Sequence, residues 1–114
     1  MLLHVYHAKL PNWGYPSLDR PDPVWPDDFE HVADVTINSH KSIEDALDSA
    51  FALTNHVWCD WHNPPDPGVV CFVKSPRSTS VGDMIVVNRR RYLCIDAGWK
   101  RISPANLQNF TQKK

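Results

Sequence analysis

Arg77-Ser78-Thr79-Ser80-Val81-Gly82-Asp83, running into Met84-Ile85-Val86-Val87, Asn88-Arg89-Arg90 and Arg91-Tyr92-Leu93-Cys94-Ile95, is the stretch whose reading decides the fold class. Gly82 takes positive φ without a Cβ clash, and Asp83 bonds backbone close by, so Ser80 to Asp83 reads as a turn. The apolar run after it reads as a strand, and Asn88 tolerates the left-handed backbone of a short hairpin turn. Tyr92 to Ile95 are strand formers. Gly98 then breaks the run, and Trp99 to Ile102 forms one more short strand. A loop, a tight turn and three consecutive strands describe an antiparallel meander.

Working outward, Leu2 to Ala8 alternates as a strand, with Leu3, Val5 and His7 on one side and Leu2, His4 and Tyr6 on the other. Residues 11–28 hold half of the chain's ten prolines, which excludes a helix or a central strand. Trp13, Tyr15 and Trp25 in this loop favour its being anchored to a body. Phe29 to Ile37 reads as a second strand with Phe29, His31, Ala33, Val35 and Ile37 sharing a face. Ser42 is a helix N-cap, Glu44 and Asp45 suit the positive end of the dipole, and apolar residues at helical spacing continue from Ile43 to about Val57. Asn63-Pro64-Pro65-Asp66-Pro67-Gly68 is a rigid turn, and Val69 to Lys74 a short strand. The predicted order is β-β-α-β-β-β-β: an α+β fold, one main helix packed on a curved, mainly antiparallel sheet of five or six strands. One domain spans 1–104, and 105–114 is a last turn or a frayed tail. Leu47, Phe51, Val86, Ile95 and Trp99 are the expected core.

A chain of 114 residues can bury a core of its own. No window reaches the roughly eighteen apolar residues of a membrane span, and Met1 to Tyr6 lacks the basic start and apolar length of a signal peptide. Three cysteines, Cys59, Cys71 and Cys94, form no disulfide framework, which points to reduced thiols and a cytoplasmic location. Charge is unevenly spread. Residues 1–56 carry three Lys and Arg against nine acids, and residues 57–114 carry nine against four. That asymmetry fits a basic surface for nucleic acid, complementary faces that pair two copies, or an ordinary mixed surface sorted along the chain.

Two constellations carry possible chemistry. His56, Cys59 and His62 are zinc-compatible donors at three-residue spacing, but they have no Cys-x-x-Cys partner. The preferred reading is therefore structural, with His56 at the negative end of the helix and no metal expected; zinc on His56, Cys59 and His62 is the alternative. The second constellation is basic. Arg77, Ser78 and Ser80 are suited to an anion, or else to a pairing of Arg77 with Asp83 and of the hydroxyls with turn backbone. Arg89, Arg90 and Arg91 sit at the hairpin tip, with Lys100 and Arg101 on the adjoining strand and Tyr92 and Trp99 beside them. Such a mixture suits a nucleic-acid backbone. No glycine-rich phosphate loop or dinucleotide motif occurs, and no cofactor is expected.

The Arg77–Asp83 motif, the strand after it, the Tyr92 strand and Gly98-Trp99 together resemble the YodL-like family. Ala50-Phe51-Ala52-Leu53-Thr54-Asn55-His56 is similar to that family's helix ending, and Trp58 to Asn63 to its following aromatic segment. The resemblance spans about Val32 to Ile102 and marks Gly82, Asp83, Tyr92, Gly98 and Trp99 as its structural motif. The chain departs from it at Asn88-Arg89-Arg90, where an acidic-Gly turn is usual, and at Val57 to His62. The resemblance implies a small accessory protein or module of phages, plasmids and other mobile elements. The expected function is therefore a non-catalytic, protein- or nucleic-acid-binding module in the cytoplasm, without a membrane partner. The alternative is a small hydrolase or metal-dependent enzyme using the His56–His62 segment.

Overall fold

The computed structural model describes residues 1–9, 24–55, 67–74, 76–95 and 98–102. The expected tail, the first part of the Pro-rich loop and the His56–His62 segment lie outside them. The elements are β1 (Leu2–Ala8), β2 (Phe29–Thr36), α1 (Ile43–Leu53), β3 (Val69–Cys71), β4 (Met84–Val87), β5 (Arg90–Ile95) and β6 (Gly98–Ile102). This is the predicted α+β order. All six strands join one sheet in the order β3-β2-β1-β4-β5-β6, and each neighbouring pair is antiparallel.

The helix begins as the sequence requires: the Ser42 hydroxyl accepts the Asp45 N–H at 3.1 Å, with Glu44 and Asp45 in the first turn. It stops at Leu53, four residues short of the expected Val57. Thr54 is the reason. Its N–H and its hydroxyl both turn back to the Ala50 carbonyl, and its own carbonyl accepts from Thr79. A side chain that bonds the backbone in this way competes with the helical ladder.

The helix buries Ala46, Leu47 and Ala50 against one face of the sheet. Beneath it lie Leu3, Val5, Val35, Ile85, Val87 and Tyr92. A second, smaller apolar cluster of Ala8, Phe29, Met84 and Ile102 sits apart, with Tyr6, Trp25 and Leu93 packed on it. Strand alternation explains both: Val5 pairs Ala33 and Ile85 on the helix side, whereas Tyr6 pairs His31 and Met84 on the outer side.

β2 breaks its own alternation. Val5 is opposite Ala33 but Tyr6 is opposite His31, so Val32 is an extra residue. This is a β-bulge, in which two residues of one strand face one of its partner. Val32 and Ala33 are both buried under the helix. Phe29 and His31 therefore lie on the outer face rather than sharing one with Ala33, Val35 and Ile37.

The expected core is corrected in part. Leu47 is fully buried, but Val86, Phe51, Ile95 and Trp99 are only partly so. In β4 the fully buried residues are Met84, Ile85 and Val87, because Val86 points outward beside His4 and Arg91. Trp99 instead packs edge-on to Phe51 at the side of the helix and donates its ring N–H to Asp48 at 3.0 Å.

Two residues join β4 to β5, Asn88 and Arg89, and both take positive φ, 52° and 63°. That is the mark of a type I′ hairpin, where asparagine then glycine is the favoured pair. Arginine at the second position is strained by its Cβ. Arg89→Gly is expected to raise stability by about 1 kcal/mol in urea unfolding. Leu47→Ala is expected to cost about 2–5 kcal/mol. Val86→Ala, at a partly exposed position, is expected to cost clearly less in the same assay.

Candidate functional site

The Arg77–Asp83 motif builds a buried polar lock. Asp83 is wholly buried, and its carboxylate accepts from Arg77 Nη1 at 2.6 Å and Nη2 at 2.7 Å, from the Ala8 N–H at 2.8 Å and from the Ser80 N–H at 2.8 Å. Arg77 completes the joint by donating to the carbonyls of Ala8 and Ser78. Gly82, at φ 94°, closes the turn that aims Asp83 inward, and its N–H reaches the Cys94 carbonyl. Of the two readings of Arg77, the pairing with Asp83 is the one observed. Ser80 serves through its backbone.

Thr79 extends the lock to the helix. Its hydroxyl lies 2.8 Å from Thr54 Oγ1 and 2.8 Å from His7 Nε2. Donor counting orders this chain. Thr54 spends its one hydroxyl proton on the Ala50 carbonyl, so Thr79 donates to Thr54. The His7 Nε2–H then donates to Thr79, which leaves Nδ1 without the proton. Asn55 also donates to the Thr79 carbonyl at 2.7 Å. Burial holds the His7 imidazole far below its usual range, at about 4; the Asp83 carboxylate pulls it up less strongly and the Arg77 guanidinium pushes it down. His7 opens onto a cleft of about 540 Å³ lined also by Lys9, Lys74, Arg77 and Glu30.

The outer face of the sheet, uncovered by the helix, carries a continuous aromatic ribbon. Phe72 meets His31 edge-on at 4.9 Å between centroids, and His31 stacks on Tyr6 at 4.7 Å and 16°. Tyr6 meets Trp25 edge-on at 4.8 Å, and the Arg91 guanidinium carbon lies 5.6 Å from the Trp25 ring. Trp25 is thus the anchor of the described part of the Pro-rich loop, in keeping with the loop's aromatic content. Beside the ribbon, Asp34 Oδ1 accepts from His4 Nδ1 and His31 Nε2, both at 2.7 Å. Leu2, Val70 and Phe72 on this face are 48%, 55% and 51% exposed.

The basic residues expected to act together are dispersed. Arg91 and Lys100 lie on the outer face, in register with Val86 and Leu93 respectively. Arg101 pairs with Tyr92 on the helix side, and Arg89 and Arg90 are exposed at the hairpin tip. Tyr92 is buried and Trp99 packs by the helix, where both line a hollow with Arg101 on the face away from Arg91 and Lys100; Arg91 lies over Trp25 instead. His56, Cys59 and His62 lie outside the described residues. Sequence reasoning misses His4, His31, Asp34, Tyr6 and Phe72 as a surface. The alternation of β1 does show His4 and Tyr6 together, but the bulge that adds His31 has no sequence mark.

Among the described residues no helix is long and apolar enough to cross a membrane. Comparison of the chain with protein-family models, curated proteins and solved structures finds no match.

Asp83→Ala is expected to cost about 3–5 kcal/mol, since it strands the Arg77 guanidinium and two backbone N–H groups; urea titration checks this. The His7 imidazole gains its proton near pH 6.5 when unfolded and near 4 when folded. Its stabilising contribution is therefore complete above about pH 6.5 and is lost as pH falls toward 4, by about 3 kcal/mol. His7→Gln is expected to remove that segment from the stability–pH curve while leaving the carboxylate-driven part below it.

Proposed function

We propose that this chain is a non-catalytic accessory module of a mobile element that binds single-stranded nucleic acid on the outer face of its sheet. The observation that carries the reading is the ribbon Phe72–His31–Tyr6–Trp25, ending under the Arg91 guanidinium. Bases stack on exposed aromatic rings regardless of sequence, and cations alongside track the phosphates. Phe72 at the β3 edge is the most exposed ring of the ribbon, and Lys100 and the Arg89-Arg90 tip supply further positive charge. The mobile-element setting rests on the YodL-like resemblance. The residues that carry that resemblance, Arg77 to Asp83, build the polar lock, so they speak for a shared scaffold rather than a shared chemistry.

Fluorescence anisotropy with labelled DNA and RNA oligonucleotides at low and moderate salt tests the proposal. Phe72→Ala is expected to weaken binding by about 5- to 150-fold, the range for removing one base stack. Converting Arg89, Arg90 and Arg91 to Ser is expected to flatten the log–log salt dependence by about 0.7 for each phosphate no longer neutralised. A Phe72→Ala protein that binds like the parent refutes the ribbon as the binding site, and absence of binding at low salt refutes nucleic acid as the ligand. The exposed Leu2, Val70 and Phe72 would then point to a protein partner.

A further inference from the structure

We propose that His4, His31 and Asp34 form a three-ligand site for a divalent transition-metal ion, with Zn²⁺ the natural occupant. Such a site does not depend on nucleic-acid binding. Among the described residues, these three side chains bring one ligand atom each to within 4.8 Å of one another. Two imidazoles and one carboxylate are the donor set of a zinc site that keeps its remaining positions open, and imidazole selects against magnesium and calcium.

The backbone places the three residues together by a specific device. His4 and Asp34 are direct cross-strand partners on β1 and β2, so they share the outer face. His31 is three residues before Asp34, and in a regular strand that offset puts side chains on opposite faces. The bulge at Val32-Ala33 reverses this and brings His31 to the same face as Asp34. Bulges often re-aim a side chain beside a site in this way.

The His31 ring is also held in orientation. Tyr6 stacks on it nearly parallel, and Phe72 meets it at 61° from another side. A ligand whose ring is fixed before binding loses less freedom when the metal arrives. Val70, the partner of Asp34 across β2–β3, adds an apolar border.

The present hydrogen bonds show what the metal would replace. A carboxylate oxygen only accepts, so His4 Nδ1 and His31 Nε2 both donate to Asp34 Oδ1. On binding, each ring keeps one proton, which passes through solvent to the opposite nitrogen, and the freed lone pair takes the metal. Ligand atoms around a tetrahedral zinc are about 3.3 Å apart, given bonds near 2.0–2.1 Å. The two 2.7 Å contacts must therefore open slightly. His4 and Asp34 are partly exposed, so small rotations of these two side chains about the held His31 ring can achieve this.

Isothermal titration of the metal-free full chain with ZnCl₂, with Co²⁺ as a visible-absorption probe, tests the site. One Zn²⁺ per chain at micromolar or tighter affinity is expected, with a Co²⁺ ligand-field band of tetrahedral intensity. His31→Gln and His4→Gln are each expected to weaken zinc at least tenfold and to abolish the cobalt band. Asp34→Asn, nearly isosteric, gives the same comparison if either histidine variant fails to fold by circular dichroism. A His56→Gln/Cys59→Ser/His62→Gln variant is expected to bind zinc like the parent. No uptake of either metal, or full affinity in folded His31→Gln or Asp34→Asn, overturns the proposal. Loss of zinc in the His56/Cys59/His62 variant overturns it as well, by placing the metal on that segment.

Discussion

The Asp83 carboxylate is the joint on which the rest of this structure hangs. A buried charge is tolerated only when its acceptor sites are filled, and here Arg77, Ala8 and Ser80 fill them. Those partners come from the end of β1, from the loop before β4 and from the turn that starts it. Satisfying one carboxylate therefore fixes where the 76–83 segment crosses the sheet. Thr79, held in that same segment, reaches Thr54 and so sets where the helix ends. His7 closes the chain from β1 with a neutral imidazole, kept neutral by the same burial. Apolar packing under α1 supplies the bulk of the stability, but it is non-directional. The polar lock supplies the directions.

The second constraint is the bulge in β2. One extra residue changes which face the first part of the strand presents. It adds Val32 to the core under the helix, and it turns His31 and Phe29 outward to join Tyr6 and Trp25. The outer face owes its aromatic continuity to that single insertion, as does the meeting of His31 with Asp34. Both the nucleic-acid reading and the metal site thus rest on one backbone irregularity.

Charge asymmetry along the chain turns out to be a poor guide to surface. The basic second half contributes Arg77 to a buried ion pair, Arg101 to the helix side and Arg91 to an aromatic ring. Antiparallel strands alternate their side chains, so neighbouring cations in sequence part company across the sheet. What gathers on one surface is a mixture from both halves, with Asp34 and His4 from the acidic part beside Arg91 and Lys100 from the basic part.

By itself the sequence determined the elements. The turn at Ser80 to Asp83, the start of the helix at Ser42, β1 and β4 to the residue, and the α+β order follow from local rules: glycine at positive φ, a hydroxyl cap, and alternation of period two. These depend on neighbours within a few positions, which is why they are legible. The tertiary structure decided what needs contacts across the chain. Thr54 ends the helix early because it meets Thr79, 25 residues away. Val86 leaves the core to Ile85 because the sheet's register aims it outward. His4, His31 and Asp34 form one cluster because a bulge, invisible in residue types, cancels the alternation that the sequence alone would impose.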